Sequence, residues 1–331
     1  MKNIPFLLNP AAKNYLWGGN RLNEEFAKNI DIFPLAETWE CSTHPDGQSK
    51  VGSGRFKGMT LGDALKIYPE MLGTHPLEAM KGTPELPILI KLIDAKQDLS
   101  VQVHPDDEYA GINEDGQLGK TEMWYILQAR KGAELVCGFR QNMDKSRIKE
   151  TIKNGTFNKY LLRIPVYKND VFYIEPGTVH AIGAGLLVAE IQESSNLTYR
   201  IYDYERADST GKQRPLHLEK ALEVAKLTSS PEPRQPMRVL KYKKGCACEL
   251  LTRCKYFQVE RLLLNTEVCR ELADYETGGN SFHALLCIDG CGILIGKGFM
   301  LNFFRGDCVF VPANSIELKL HGRAQMLDVS C

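Results

Sequence analysis

The sequence predicts a mainly β protein with helical insertions, organised as a β-barrel or a β-sandwich. The first observation is a series of short runs rich in β-branched and aromatic residues, separated by Gly, Pro, Asn and Asp. These runs cover residues 87–94, 99–104, 123–127, 134–139, 170–174 and 186–192. The second observation is a length of 331 residues with 43% hydrophobic and 25% charged side chains. That composition supplies a sizeable core for one large or two ordinary globular domains.

Helical spacing is confined to a few segments. Residues 60–68 carry apolar side chains at positions 61, 64, 65 and 68, which lie on one face of a helix. Residues 144–162 predict an amphipathic helical insert within the β region, and residues 216–227 predict a second helical stretch after it. The helices therefore interrupt the β region and do not replace it.

A proline-rich segment at residues 229–236 is the best candidate for a linker, because it holds three prolines in eight residues. Further strand-like runs follow at 257–264, 284–288, 292–295 and 308–311. We therefore predict a catalytic domain over residues 1–236, with short helical inserts, and a smaller C-terminal β domain over residues 237–331.

The two β regions share a local sequence pattern. Residues 169–177 and 306–313 each contain a turn, an Asp, four strand residues and a Pro at the exit. An internal duplication of a β unit predicts this pattern, and a chance match between two common strand–turn patterns is the alternative. The first copy continues to His180, whereas the second has Ile316 near that place. We predict that the second domain holds no metal and no catalytic residue.

Charge and hydropathy exclude several classes of partner. Lys+Arg and Asp+Glu are both 41, so the basic excess that usually accompanies nucleic-acid binding is missing. No apolar stretch reaches 18 residues, and the apolar run at the start is far too short for a signal peptide. We therefore expect a cytoplasmic protein with no membrane partner. Its ten Cys lack paired C-x₂-C spacing and are expected to be reduced, mostly buried thiols.

Three polar segments break the apolar pattern of the strands. Ser100, Gln102 and His104 share one face of a strand, while the valines between them face the other way. Lys120 and Glu122 are also two residues apart, at the start of a strongly hydrophobic strand. His180 follows a Pro-Gly turn. Each segment also has an ordinary structural explanation when it is taken alone. Residues 100–104 are then an exposed strand face, Lys120 and Glu122 a solvated ion pair, and His180 a surface or core histidine.

Taken together, the three segments predict a metal site. Two His, one Glu and one Gln supply two nitrogens and two oxygens, at Gln102, His104, Glu122 and His180. This set suits one Zn²⁺ per chain, with manganese, cobalt or iron as substitutes. Because an amide ligand is neutral, the ligands carry a single negative charge, and the metal stays a strong Lewis acid.

The same residues lie in motifs that follow one another in a characteristic order. The motifs are Gln102-Val-His104-Pro-Asp, Lys120-Thr-Glu122-Met and Glu190-Ile-Gln-Glu-Ser-Ser-Asn-Leu-Thr-Tyr-Arg200-Ile-Tyr-Asp, preceded by Leu16-Trp-Gly-Gly and Glu37-Thr-Trp-Glu40. From about residue 5 to 225 the chain resembles type I phosphomannose isomerase, also called mannose-6-phosphate isomerase, in its short bacterial form. The resemblance implies a cupin-like β-barrel (jelly roll) catalytic domain and a degenerate cupin-like C-terminal domain.

The resemblance implies a role for each matching residue. Gln102, His104, Glu122 and His180 match the zinc ligands of the family. Arg200 matches the arginine assigned to catalysis, although a structural salt bridge with Asp203 or Glu190 is the alternative. Lys120 matches a lysine beside the metal, and Ser100 matches a serine of the substrate pocket. A phosphate also needs cationic and hydroxyl donors, for which Ser100 and Lys96 are candidates.

The implied reaction interconverts mannose 6-phosphate and fructose 6-phosphate through an enediol intermediate. Arg200 is placed by the resemblance to stabilise the enediolate. Lys120 is a candidate base if a neighbouring cation favours its neutral form, and a hydroxide at the metal is the competing candidate. The implied partner is a small sugar phosphate, and we expect a monomer or a weak homo-oligomer. A non-catalytic sugar-binding or regulatory cupin, and a metal-dependent oxygenase or epimerase, are the rival hypotheses.

Overall fold

The computed structural model describes residues 3–208, 210–230, 233–236 and 238–331. Within them, strands far outnumber helices, so the mainly β prediction is confirmed. The strands are β1 Phe6–Asn9, β2 Ala11–Lys13, β3 Glu37–Cys41, β4 Lys50–Val51, β5 Ile88–Asp94, β6 Val101–Val103, β7 Glu122–Ala129, β8 Glu134–Phe139, β9 Leu161–Pro165, β10 Val171–Ile174, β11 His180–Ile182, β12 Leu186–Glu193, β13 Tyr199–Tyr202, β14 Lys241–Lys243, β15 Cys246–Arg253, β16 Gln258–Asn265, β17 Ala273–Tyr275, β18 His283–Gly296, β19 Phe299–Phe304, β20 Cys308–Val311 and β21 Leu318–Ser330.

The helices are short. They are α1 Arg21–Phe26, α2 Leu61–Ile67, α3 Thr74–Ala79, α4 Asp107–Asn113, α5 Lys145–Lys153, α6 Leu218–Val224 and α7 Thr266–Cys269, with 3₁₀ turns at Pro69–Met71 and Phe157–Lys159. All three predicted helical segments contain a helix. The insert predicted over residues 144–162 is shorter than expected, because α5 begins after the Asp144 cap, which accepts from the Arg147 N–H at 2.8 Å, and ends at Lys153. No helix among the described residues is long and apolar enough to cross a membrane.

The strands form three antiparallel sheets. A six-stranded sheet has the order β10-β7-β12-β5-β3-β2, and a five-stranded sheet has the order β13-β6-β11-β8-β9. We call these two sheets the first unit. The third sheet contains ten strands along the order β14-β15-β16-β21-β18-β20-β1-β4, with β17 and β19 beside it, and we call it the second unit. The predicted barrel of the first unit thus takes the form of two facing sheets.

The six-stranded sheet lies in the middle of the molecule and is buried on both faces. Side chains such as Trp124 and Val188 face the five-stranded sheet, whereas their neighbours Tyr125 and Ala189 pack toward the second unit. Because successive residues of a strand point to opposite faces, this burial requires unbroken apolar runs. The outer face of the five-stranded sheet is covered by α5 and α6.

The first strand of the chain does not belong to the sheets of the first unit. β1 pairs with β20, so that Phe6 lies opposite Phe310 in the ten-stranded sheet. The division into residues 1–236 and 237–331 stays a prediction, and the N-terminal strand crosses it. Of the predicted linker and boundary, Pro231, Glu232 and Met237 lie outside the described residues.

The sequence pattern shared by the two units corresponds to the same turn in the structure. Asn169 and Gly306 both have positive φ, 73° and 99°. In each turn the following Asp accepts a hydrogen bond from the amide three residues earlier, at 2.9 Å for Asp170 and 2.8 Å for Asp307. In the first unit the strand that follows the turn, β10, pairs antiparallel with β7. In the second unit the corresponding strand, β20, pairs antiparallel with β18. The observed geometry supports an internal duplication.

A stack of phenylalanines in the second unit belongs to the core that this unit shares with the six-stranded sheet. Phe310 is fully buried and lies between Phe6 and Phe282, with ring centroids at 5.2 and 5.1 Å. We expect Phe310→Ala to lower the free energy of unfolding by about 3–5 kcal/mol, because it removes buried area and leaves a cavity. The matched control is Phe304→Ala, whose side chain is 59% exposed and whose effect should stay within about 0.5 kcal/mol. Guanidinium unfolding curves of the two variants give the comparison, and equal effects would contradict it.

Candidate active site

Four predicted ligands converge between the two sheets of the first unit. Glu122 is the first residue of β7 and His180 the first residue of β11, while Gln102 lies in β6 and His104 follows it. β11 pairs with β6 so that His180 lies opposite Gln102. The alternation within residues 100–104 is as predicted, since Val101 and Val103 pack outward beneath the helices.

The ligand atoms lie within reach of one ion. Nε2 of His104 is 3.3 Å from Oε1 of Glu122, and Nε2 of His180 is 3.7 Å from Oε2 of Glu122. The donor atoms of His104, Glu122 and His180 all lie within 4.8 Å of one another. Bonds of about 2.0–2.2 Å to a tetrahedral zinc place neighbouring donor atoms about 3–4 Å apart. The cluster therefore has the size of a metal site.

Gln102 completes the set through its amide group. Its Nε2 lies 3.4 Å from Nε2 of His180, and its Oε1 lies 3.4 Å from the Ser100 hydroxyl. A half-turn of the amide about its last bond exchanges nitrogen and oxygen and directs the oxygen at the cluster. As a ligand, Gln102 needs only that rotation.

The electrostatics of the cluster fit a cation. Glu122 is fully buried, with the Lys120 ammonium 2.8 Å from its Oε1, and its Oε2 has no hydrogen-bond donor among the described residues. Burial raises the pKa of Glu122, but Lys120, His104 and His180 outweigh that effect and hold the pKa well below its usual range. Burial lowers the pKa of His180, and burial together with Lys120 lowers that of His104 to about 3. Both imidazoles are thus neutral at physiological pH, as metal ligation requires.

A backbone hydrogen bond on the side of the ring away from the cluster fixes the orientation of His180. Its Nδ1 lies 2.9 Å from the backbone carbonyl of Thr178, so Nδ1 carries the proton and Nε2 offers its lone pair to the cluster. Such outer hydrogen bonds typically orient histidine ligands of metals. Trp124 packs edge-on against the same ring, with centroids 5.3 Å apart. His180 is therefore held in the geometry of a ligand.

Lys120 lies directly beside the cluster. Its Nζ is 2.8 Å from Oε1 of Glu122 and 3.4 Å from Nε2 of His104, and the side chain is buried. The solvated-pair alternative for Lys120 and Glu122 is wrong, since neither is exposed.

A cavity of about 260 Å³ opens beside the cluster. Ser100, Gln102, Lys120 and Arg200 line it, so the structure brings these predicted residues together. Lys96 does not join them: it is exposed in the loop after β5 and does not line the cavity. Its predicted contact with phosphate has no support in the geometry.

Arg200 is anchored at the wall of the cavity. Its Nε donates to the Ser100 hydroxyl at 3.3 Å, and its Nη1 donates to the Pro215 carbonyl at 2.9 Å. Burial, and then the nearby Arg214, lower the pKa of Arg200. Asp203, one partner in the structural alternative, forms its ion pairs with Arg206 and Arg214. The recorded contacts of Arg200 therefore place it in the cavity wall.

The sequence analysis missed a second buried ionic group that lines the same cavity. Nζ of Lys91 is 3.1 Å from Glu190 and 4.0 Å from Glu37. Two tryptophans hold the acids, since Trp124 donates to Glu190 at 2.9 Å and Trp39 donates to Glu37 at 2.8 Å. The sequence did contain one signal for this group, the charged Lys91 in the middle of an apolar strand. Burying a charged side chain is costly unless it has a partner or a function.

The charges in this group are unbalanced in favour of the acids. Burial lowers the pKa of Lys91, but Glu190 and Glu37 outweigh it and raise the pKa above its usual value. Burial and then Glu122 raise the pKa of Glu190. Lys91 is thus a cation at physiological pH. Its partner Glu190 is close enough to the candidate ligand Glu122 for the two negative charges to interact.

A two-sheet β fold with a buried His–Glu–His cluster at one end of a polar cavity defines a cupin-type protein with a candidate metal centre. Residues 6–141 match the family described as phosphomannose isomerase type I, catalytic domain. Mannose-6-phosphate isomerase ManA of Bacillus subtilis is 36% identical over 99% of this chain and 99% of its own length. Mannose-6-phosphate isomerase of Streptococcus mutans is 40% identical over 66% of this chain and 67% of its own.

A solved structure agrees over the whole chain. The crystal structure of mannose 6-phosphate isomerase from Bacillus subtilis matches with a TM-score of 0.88 and 33% identity, covering 99% of both chains. The chain therefore belongs to the type I phosphomannose isomerase family and is an enzyme of that family. The resemblance of its motifs to that family is confirmed.

Removing one ligand should empty the metal site without unfolding the protein. We expect the wild-type chain to hold one Zn²⁺ and His180→Ala to lose it, together with activity, because only one imidazole then remains beside the weaker amide and carboxylate ligands. The control is His75→Ala, which changes an exposed histidine. Elemental analysis of gel-filtered protein measures the metal. Stoichiometric zinc in His180→Ala would refute the assignment of this ligand.

Proposed function

We propose that the protein is a zinc-dependent isomerase that interconverts mannose 6-phosphate and fructose 6-phosphate through an enediol intermediate. The observation that carries the proposal is the His104–Glu122–His180 cluster beside a cavity that Gln102, Lys120 and Arg200 line. The names of the relatives that match over the whole chain support the substrate.

The reaction moves a proton between C1 and C2 of the sugar and develops negative charge on the attached oxygens. Gln102, His104, Glu122 and His180 would hold the zinc ion, which supplies a Lewis acid for those oxygens. The chain itself has to place a base at the carbon, fix the sugar and hold its phosphate. The cavity contains side chains suited to each of these tasks.

Lys120 is the candidate base at the reacting carbons. It is the buried amine nearest to the cluster, and its Nζ contacts the carboxylate of Glu122, which is also a proposed metal ligand. Beside the candidate ligand Glu122 and on the cavity wall, Lys120 is placed where a general base has to lie. Lys91 and Glu190 also line the cavity and offer a donor and an acceptor for the sugar hydroxyls.

Arg200 and Arg214 give the cavity its affinity for anions. Both line the cavity, and burial, followed by the charge of Arg214, lowers the pKa of Arg200. Two nitrogens of Arg214 donate to Asp203, so Arg200 is the freer donor. An anion in the cavity relieves the repulsion between the two guanidinium groups and accepts charge-assisted hydrogen bonds. The Ser100 hydroxyl lies next to Arg200 and adds a donor. We assign the phosphate and the enediolate oxygens to this wall.

In this proposal the enzyme acts in the cytoplasm as a monomer or a weak homo-oligomer. Its ten cysteines are all free thiols, which fits a reducing compartment.

The direct test is to incubate the purified protein with fructose 6-phosphate and zinc and to follow mannose 6-phosphate. We expect turnover that disappears after chelation and returns when zinc is added, because the cluster then regains its cation. Full activity after exhaustive chelation would overturn the metal requirement. Binding of the sugar phosphate without turnover would instead favour a non-catalytic sugar-binding protein.

Arg200 provides a second test, with three variants. Arg200→Ala should lower kcat by about 10²–10³, the range found when a transition-state oxyanion donor is removed. Arg200→Lys should recover only part of the rate, because a point charge does not reproduce the fork. Arg253→Ala changes an exposed arginine of the second unit and serves as the control.

Zinc content and melting temperature of Arg200→Ala should stay close to wild type, because no ligand is lost. A stable variant with wild-type kcat would remove Arg200 from the site.

A further inference from the structure

Glu193 is a buried acid that the proposed mechanism does not use. It is the last residue of β12, and its carboxylate Oε1 accepts a hydrogen bond from the Thr121 amide at 2.7 Å. Its own amide donates to the Thr121 carbonyl at 3.1 Å. Thr121 lies between Lys120 and Glu122. Glu193 therefore holds both backbone polar groups of the residue that separates the candidate base from a candidate metal ligand.

Asp107 holds the same segment from the other side. It is the first residue of α4, and its Oδ1 accepts from the Gly119 amide at 3.0 Å. Its Oδ2 accepts from the Tyr256 hydroxyl at 2.8 Å. Tyr256 belongs to the second unit, in the turn between β15 and β16. Residues 119–121 are thus held by two acids, and the second unit contributes to this arrangement through one hydroxyl.

The carboxyl groups of the two acids also lie close enough for a hydrogen bond between them. Two carboxylates cannot share a hydrogen bond, because both only accept, so a bond between them requires one proton. Oε2 of Glu193 is buried and has no donor among the described residues, which makes it the oxygen on which that proton can lie. Asp107 already accepts from Gly119 and Tyr256 and is the better carboxylate.

We propose that Glu193 is a positioning residue for the isomerase reaction: as a neutral carboxylic acid it donates to Asp107, accepts from the Thr121 amide and so fixes Lys120 and Glu122 in the cavity. This inference rests on the proposed function for its effect on turnover. The proton on Glu193 is a property of the fold and does not depend on the substrate.

The surroundings of Glu193 favour the neutral form. Burial, with a smaller contribution from Asp107, outweighs the hydrogen bonds from Thr121 and raises its pKa to about 8. Burial also raises the pKa of Asp107, but the bonds from Tyr256 and Gly119 outweigh that and leave it below its usual value.

Among the residues that the structure describes, the other titratable groups that face Glu193 carry no charge that would favour its ionised form. Tyr173 of β10, and Cys254 and Tyr256 of the second unit, face Glu193 and are neutral at physiological pH, because burial raises the pKa of all three. Lys255 lies beyond Asp107, at 3.4 Å from its Oδ2, and stabilises the negative charge on Asp107. The one proton of the pair therefore stays on Glu193 at neutral pH.

The sign of the pH dependence follows from the direction of this shift. The folded-state pKa of Glu193 is raised above its unfolded value, so its contribution to stability is complete below the unfolded value of about 4.5 and is lost as the pH rises through about 8. Above that pH, two carboxylates face each other and repel. The hydrogen bond between them breaks, and residues 119–121 lose one of their supports.

The test compares Glu193→Gln with wild type. The amide donates to Asp107 and accepts from Thr121 without ionising, so it imitates the neutral acid at every pH. Wild-type kcat should fall about tenfold between pH 7 and 9, since a group with a pKa near 8 is then about nine-tenths ionised. Glu193→Gln should keep kcat within about twofold of wild type at pH 7 and lose this alkaline decrease. Glu219→Gln, a substitution at an exposed acid, is the control.

A second variant tests whether the hydrogen bonds are needed at all. Glu193→Leu fills similar space but leaves the Thr121 amide and Asp107 without their partner. It should lower kcat more than it changes KM, at every pH. Wild-type kcat in a folded Glu193→Leu protein, or an unchanged alkaline decrease in Glu193→Gln, would overturn the proposal.

An infrared measurement on metal-free protein separates this inference from the proposed function. The carbonyl stretch of a buried protonated carboxylic acid should be present at pH 7, disappear with a midpoint near 8, and be absent from Glu193→Gln. Its absence from the wild-type protein would refute the shared proton even if the enzyme is fully active. If no isomerase activity is found, the proposed function fails, and the infrared titration still decides whether Glu193 is protonated.

Discussion

The structure of the site depends on one buried negative charge, the carboxylate of Glu122. Removing a carboxylate from water costs several kcal/mol unless partners compensate. Here the charged partner is the ammonium of Lys120, while the neutral imidazoles of His104 and His180 direct ring nitrogens at the carboxylate. Oε2 of Glu122 has no hydrogen-bond donor in the part of the chain described. A metal ion would bind the oxygen and ring lone pairs that these groups leave unpaired. Two hydrogen bonds around the cluster help to keep this charge in place. One joins His180 to the Thr178 carbonyl, and the other joins the Thr121 amide, next to Glu122, to Glu193.

The second unit shows what the same framework does without that charge. By the register of the neighbouring strands, His283 occupies the position of Glu122, and Asp328 occupies the position of Glu190. These residues satisfy one another: Nδ1 of His283 lies 2.7 Å from Asp328, which also accepts from Tyr275 at 3.0 Å. Because these polar groups already satisfy one another by hydrogen bonds, they leave few lone pairs for a cation to bind. The corresponding positions of these polar residues, with different chemistry in each unit, are what an internal duplication predicts.

The sequence predicted those parts of the site whose signal is local. Strand alternation placed Gln102 and His104 on one face, and the turn before His180 delivered a ligand to the next strand. Lys91 was missed because it lies in an apolar strand and its partners come from distant strands. Lys96 was chosen by charge alone, and charge does not reveal whether a loop faces a cavity. Burial and pairing are properties of the assembled sheets.

The position of the six-stranded sheet explains why a catalytic cavity needs a second unit that lines none of it. The strands that carry Glu122, Lys91 and Glu190 are apolar on their other face, which packs on the second unit. Without that unit, a continuous apolar surface would meet water, and the central strands would lose the packing that keeps them in register. The hydroxyl of Tyr256 adds a polar contact to this packing and reaches the segment before Glu122 through Asp107. The second unit therefore supports the candidate active site by packing on the six-stranded sheet that carries it.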